Sequence, residues 1–130
     1  MTAGNYNIGE ITKAIYQAMS GVSANIFTSR PDTVPTAMSD FVVVSLPTRV
    51  NDRLALGDTI CRISLFAKNN IVNNITYENI LKLQTMQDAV YAKLPIKTSK
   101  YMVERPVVFK GGSDKLGFHI LHIQLDVTIL

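Results

Sequence analysis

The sequence predicts an α+β domain: a mostly antiparallel sheet of four to five strands with two amphipathic helices packed on one face. Three observations predict it. Residues 8–22 and 75–94 repeat apolar side chains at helical spacing. Residues 41–46, 58–68 and 116–129 are apolar runs or alternations suited to strands. The strands after the second helix are joined by a short Gly-containing step, which implies a hairpin rather than a parallel crossover.

Ile8, Ile11, Ile15, Ala18 and Val22 share one helical face, with Glu10, Lys13, Gln17 and Ser20 mostly elsewhere. Asn7 and Glu10 have the spacing of a capping box, and Gly21 is placed to end the helix. Residues 24–28 suit a short strand or an extended entry. The run SRPDTVPTAMSD at 29–40 holds two prolines and several turn formers, so it reads as a long loop. Phe41–Leu46 carries three consecutive valines, as in a central strand covered on both sides. A polar connection at 48–57 follows, with Arg49, Asp52 and Arg53.

Residues 58–68 alternate, with Cys61, Ile63, Leu65 and Ala67 on one face and Ile60, Arg62, Ser64 and Phe66 on the other. Residues 69–74 read as a turn. The second helix is expected over 75–94, with Asn74 or Thr76 as its cap, Ile80, Leu83, Met86, Val90 and Leu94 as its apolar stripe, and Pro95 as its stop. A strand over 99–109 meets Pro106, which argues for an edge or a bulge. Gly111 and Gly112 mark the following turn. The last strand places Leu121, Ile123, Leu125, Val127 and Ile129 on a core face, and Ile120, His122, Gln124, Asp126 and Thr128 on the opposite one.

At 130 residues and 14.4 kDa the chain is one domain, 1–130. Charged residues are 18%, below the average of about 25%, which suits surface hidden in a larger assembly. The net charge of +3 is weak for a dedicated nucleic-acid binder. No apolar run is long enough to span a membrane, and residues 1–10 lack the order of a signal peptide. These features suit a soluble protein of a reducing compartment.

Catalytic patterns are sparse. Cys61, Ser64 and Ser113 are conceivable nucleophiles, but none sits in a nucleophile motif, and a buried thiol is the plain reading of Cys61. His119 and His122 are three apart on a strand and therefore face opposite ways, which argues against a shared metal. The GGSDK stretch joins two strands and is not a phosphate loop. No catalytic residue, metal ligand or cofactor is assigned. Residues 93–115 hold six cations against Glu104 and Asp114, with Tyr101 and Phe109 among them. A nucleic-acid surface using Lys97, Lys100 and Lys110 is thus an alternative, against a plain solvated edge guarded by lysines.

Across nearly the whole chain, the order and spacing of these segments resemble the tail-completion, or tail-terminator, proteins of long-tailed bacteriophages. The resemblance is carried by the N-terminal helix IGEITKAIYQAM, the apolar strand FVVVSLP, the strand TICRISLFAK, the long helical segment ITYENILKLQTMQDAVYAKL and the closing alternation GFHILHIQLDVTI. Asp40-Phe41 stands where the family often has Pro-Tyr. The resemblance implies a virion structural protein, assembled in the bacterial cytoplasm, that caps the tail tube as a hexameric ring. Its partners would be its own copies, the tail tube protein and the head-side connector. DNA would pass through the lumen only in transit, and neither catalysis, cofactor nor membrane is expected. A head-closure protein of the same neck is a related alternative. On this reading Arg62, Phe66, His122, Gln124 and Asp126 form a contact face for subunits or partners. Loops 29–40 and 48–57, the latter with Arg49, Asp52 and Arg53, reach towards tube or connector.

Overall fold

A computed structural model describes residues 8–46, 51–53, 56–113 and 116–129. The order is α1 (Ile8–Ala18), β1 (Ile26–Phe27), β2 (Asp40–Ser45), β3 (Asn51–Arg53), β4 (Leu56–Lys68), β5 (Asn70–Val72), β6 (Ile75–Tyr77), α2 (Ile80–Tyr91), β7 (Ile96–Lys97), β8 (Tyr101–Ser113) and β9 (Phe118–Ile129). Among these elements the class is α+β, as expected. The strand count is not: seven strands form the main sheet, in the order β1-β2-β4-β9-β8-β7 with β3 on β4, and β5 and β6 form a separate pair.

All pairings in the main sheet are antiparallel except β1 with β2. That exception has a consequence for the chain. Two consecutive parallel strands need a connection that returns the full strand length. Residues 28–39 make that return without a helix, and they cross the sheet face that the helices leave open. Val34 and Met38 from this segment pack on side chains of that face. Loop 29–40 is therefore folded back over its own sheet instead of reaching outwards.

The main core lies on the helix side. The predicted inward residues of β4 and β9 are all there: Cys61, Ile63, Leu65 and Ala67 beside Leu121, Ile123, Leu125, Val127 and Ile129. From α1 come Ile11 and Ile15, from the turn after it Met19, and from α2 Leu83, Met86 and Val90. The helices are shorter than the sequence suggests and do not form an even pair over the sheet. The first ends at Ala18, and Gly21, at φ +94°, turns the chain so that Val22 still reaches the core. The second starts only at Ile80, capped by Asn79, whose side chain accepts from the Lys82 amide. Ile80, assigned to the apolar stripe, is exposed, and Leu94 is only partly buried. The Cys61 thiol is fully buried, and burial pushes its pKa up to about 12.

Residues 75–77 are strand, not helix. Asn73 and Asn74 both have positive φ, 51° and 63°, as a two-residue hairpin turn of the primed type requires. In β8 the ladder slips between Glu104 and Val107, where Arg105 has φ +60° and Pro106 follows, so the expected bulge is present. Gly111 and Gly112 belong to β8 rather than to the turn. The polar connection 48–57 also changes character: Asn51, Asp52 and Arg53 form β3 and pair with the start of β4. Arg49 lies outside the described residues.

Candidate functional site

The sheet face away from the helices is built by strict alternation. Arg62, Ser64 and Phe66 of β4 stand opposite Gln124, His122 and Ile120 of β9, and Phe109 of β8 stands on the other side of His122. The face divides into an aromatic half and a polar half.

The aromatic half is a second core. Phe41 and Phe66 stack with centroids 4.2 Å apart, while Phe27 and Phe118 meet Phe41 edge-on at 5.8 and 5.1 Å. Val43, Ile120, Val34 and Met38 complete it, and the Arg30 guanidinium lies 5.4 Å from the Phe66 ring centre. Phe66 is thus buried under its own chain, which removes it from the predicted contact residues. Alternation told which face Phe66 occupies; it carried no information on what covers that face.

The 28–39 segment is fastened at its ends. Lys68 donates from its backbone to the Ser39 carbonyl and from Nζ to the Thr36 carbonyl. Asp40, buried where this segment enters β2, accepts from the Ser23 and Ser39 hydroxyls and pairs with Lys82 of α2 at 3.1 Å. Burial alone would raise its pKa, but these donors and the Lys82 charge outweigh it and hold the carboxyl below its ordinary value.

The polar half holds four of the predicted contact residues, Arg62, His122, Gln124 and Asp126, and all four are partly exposed. His122 Nδ1 and Ser64 Oγ share a 2.8 Å hydrogen bond, and the imidazole lies 5.1 Å from Phe109. The Arg62 guanidinium sits 5.4 Å from the same Phe109 ring, so Phe109 carries a cation and an imidazole together. Burial, and then the Arg62 charge, lower the His122 pKa, which keeps the ring neutral at pH 7. Arg62 Nε is buried and has no hydrogen-bond partner among the described residues. Two acids paired across β8 and β9, Glu104 and Asp126, both meet Arg105, at 3.5 and 3.7 Å. An open groove of about 940 Å³ adjoins this half, with Arg30 and Asp32 on one bank and Gly111, Ser113, Leu116 and Ile120 among its other walls.

Ser64 and His122 have the spacing of a nucleophile and base. Ser64 is buried, however, and among the described residues no carboxylate is bonded to the ring. The pair fixes the imidazole's orientation. Gly111 is part of the same fit, because a Cβ there would stand 2.5 Å from His122 Nε2 and 3.0 Å from Ile120 Cβ. Gly111→Ala is therefore expected to push the imidazole off Ser64 and cost about 1 kcal/mol. The check is chemical denaturation together with the His122 ring signals in NMR. Unchanged ring shifts would show that the ring does not depend on this glycine.

His119 lies on the opposite face from His122 and bonds to Asn69. Among the described residues no group of His, Cys, Asp and Glu is arranged to hold a metal ion. No helix among them is long and apolar enough to cross a membrane. The basic residues of 93–115 are dispersed: Lys97 is in edge strand β7, Lys100 pairs with Glu10 of α1 at 3.1 Å, and Lys110 pairs with Glu78 at 3.6 Å. Asp52 and Arg53 lie at the far end of β4, paired with Gly57 and Leu56, apart from the Arg62–His122 cluster along the strand.

The β5–β6 hairpin, in which every strand residue is exposed, stands where a turn and the start of a helix were expected. The signal for it was available: two short β-branched runs on either side of Asn-Asn. No family model matches the chain, and no curated protein matches it in sequence.

Proposed function

We propose that this chain is an assembly subunit, a virion structural protein that caps the tail tube of a long-tailed phage as a hexameric ring and joins it to the head. The observation that carries the reading is Arg62. It is a partly buried cation held on the Phe109 ring, with a buried Nε that has no hydrogen-bond partner among the described residues. A buried N–H donor without an acceptor is costly, and a partner that brings an acceptor to this partly exposed guanidinium relieves it. His122, Gln124 and Asp126 flank it on an open sheet face, which suits a flat contact between subunits rather than an enclosed small-molecule site. Copies and the tail tube are the partners in this reading. The polar stretch with Arg49, Asp52 and Arg53 is, in this reading, a second contact with tube or connector. DNA passes through the lumen in transit, and the protein's place is the virion tail.

The test is a capping assay with purified tail tubes, scored by electron microscopy as the fraction of tubes with a terminal ring. Arg62→Gln is expected to weaken capping at least tenfold at limiting protein, with normal folding by circular dichroism. Arg62→Lys, which keeps charge without the planar fork, should recover only part of it. Wild-type capping by Arg62→Gln, or no capping by the wild-type protein, would overturn the reading.

A further inference from the structure

The β5–β6 hairpin is a two-stranded sheet that pairs with no other strand among the described residues. Such a pair is at best marginal in water unless another layer covers it. Its apolar side chains have no such cover: Ile71, Val72, Ile75 and Tyr77 are 49–69% exposed, and Ile80 and Leu81, at the start of α2, are 62% and 77% exposed. The register puts Val72, Ile75 and Tyr77 on one face of the hairpin, with Ile71 on the other. Without Ile71, which faces the other way, Val72, Ile75, Tyr77, Ile80 and Leu81 are each about half exposed or more, apolar surface on the scale of the largest patch of a typical monomer, about 300–600 Å², and a large part of the roughly 800 Å² that each partner brings to a standard interface. The segment from Asn69 to Tyr77 holds no charged residue, so no electrostatic partner is specified.

The chain also carries a receiving surface. A groove of about 570 Å³ runs between α1 and β1, lined among others by Tyr16, Ile26 and Phe27. It lies at the end of the main sheet, where β1 pairs with β2 on one side only. A strand laid there gains backbone hydrogen bonds from the edge and apolar contacts from the groove. Groove and hairpin share no residue, so one copy can fill its neighbour's groove while its own groove receives the next hairpin, the head-to-tail repetition that a closed ring uses.

We propose that the 70–77 hairpin of one copy docks in the α1–β1 groove of the next. This deepens the ring-subunit reading and rests on it for self-association, while its test needs no tail tube. The experiment is sedimentation velocity over a concentration series on the full chain. A double variant, Val72→Asp with Ile75→Asp, and separately Leu81→Glu, should each weaken self-association at least tenfold. Because all three residues are exposed, the thermal midpoint should stay within a few degrees of wild type. Tyr16→Glu in the groove should do the same. Mixing the double hairpin variant with Tyr16→Glu should then restore a single pair and nothing larger, since each supplies the surface that the other lacks. Wild-type association by the hairpin variants would overturn the proposal and leave the capping reading standing. Undiminished association by Tyr16→Glu would replace it with hairpin-to-hairpin packing. A wild-type chain that stays monomeric at every concentration would also overturn it, and the tail-tube assay would then decide the capping reading separately.

Discussion

Phe41→Ala is expected to cost about 3–5 kcal/mol, the usual range for deleting a fully buried aromatic side chain. Phe41 is completely buried and is the ring against which Phe27, Phe66 and Phe118 all pack. The loss is a large fraction of the roughly 5–15 kcal/mol that holds a domain together. It should also be uneven. Val34 and Met38 hold the 28–39 segment to the sheet through this cluster, so amide hydrogen exchange should rise there before it rises in β4 or β9. Phe41→Leu, which leaves a smaller cavity, should cost clearly less and keep more of the protection. Urea unfolding gives the first quantity and exchange mapped by mass spectrometry the second. A cost below about 1.5 kcal/mol for the alanine variant would mean that the aromatic half is a loose cover and not a second core.

The same cluster marks where sequence reading succeeds and where it stops. Period-two alternation placed Leu121, Ile123, Leu125, Val127 and Ile129 on one face, and all five are buried in the main core. The inward set of β4 was legible for the same reason, because a side chain's face is a local property of a strand. What covers a face is a long-range property. Phe66 shares its face with Arg62 and Ser64, yet only Phe66 lies under Phe41 and the returning loop, through contacts about 25 residues distant in sequence. The β5–β6 hairpin escaped for a different reason. With no buried side chain it has no hydrophobic period to detect, and the apolar residues from Ile75 onward continue into the stripe of α2, which extended the helix backwards over a strand. In β8 the bulge at Arg105 and Pro106 and a second shift after Lys110 slide the ladder, so Gly111 and Gly112 fall within the strand. Of the candidate face, Arg62, His122, Gln124 and Asp126 were legible together. Phe109 and Ser64, which orient them, needed the register between β8, β9 and β4.

Asp40→Ala is expected to destabilise the protein by about 2 kcal/mol at pH 7, with a pH dependence that identifies the cause. The carboxylate joins three parts of the fold: the turn after α1 through Ser23, the end of the 28–39 segment through Ser39, and α2 through Lys82. Removing one partner of a fully buried pair costs about 3–5 kcal/mol. The cost here is smaller because Lys82 is 39% exposed and regains water when its partner is lost. The Asp40 pKa is lowered in the folded state, so its stabilisation is complete above the ordinary value of 3.8 and disappears as pH falls through the lower, folded value. The gap between wild type and Asp40→Ala should therefore hold steady from pH 7 to about pH 4 and narrow below it. His122 supplies an internal contrast. Its pKa is also lowered, by burial and then by Arg62, so its contribution is present above its ordinary 6.5 and fades as pH falls below that value. That upper decline should appear equally in wild type and in Asp40→Ala, because His122 lies on the polar half of the sheet and Asp40 at the entry to β2. A difference between the two proteins that is constant from pH 7 to pH 3 would show that Asp40 acts through shape and neutral hydrogen bonds, with its charge contributing nothing to the junction.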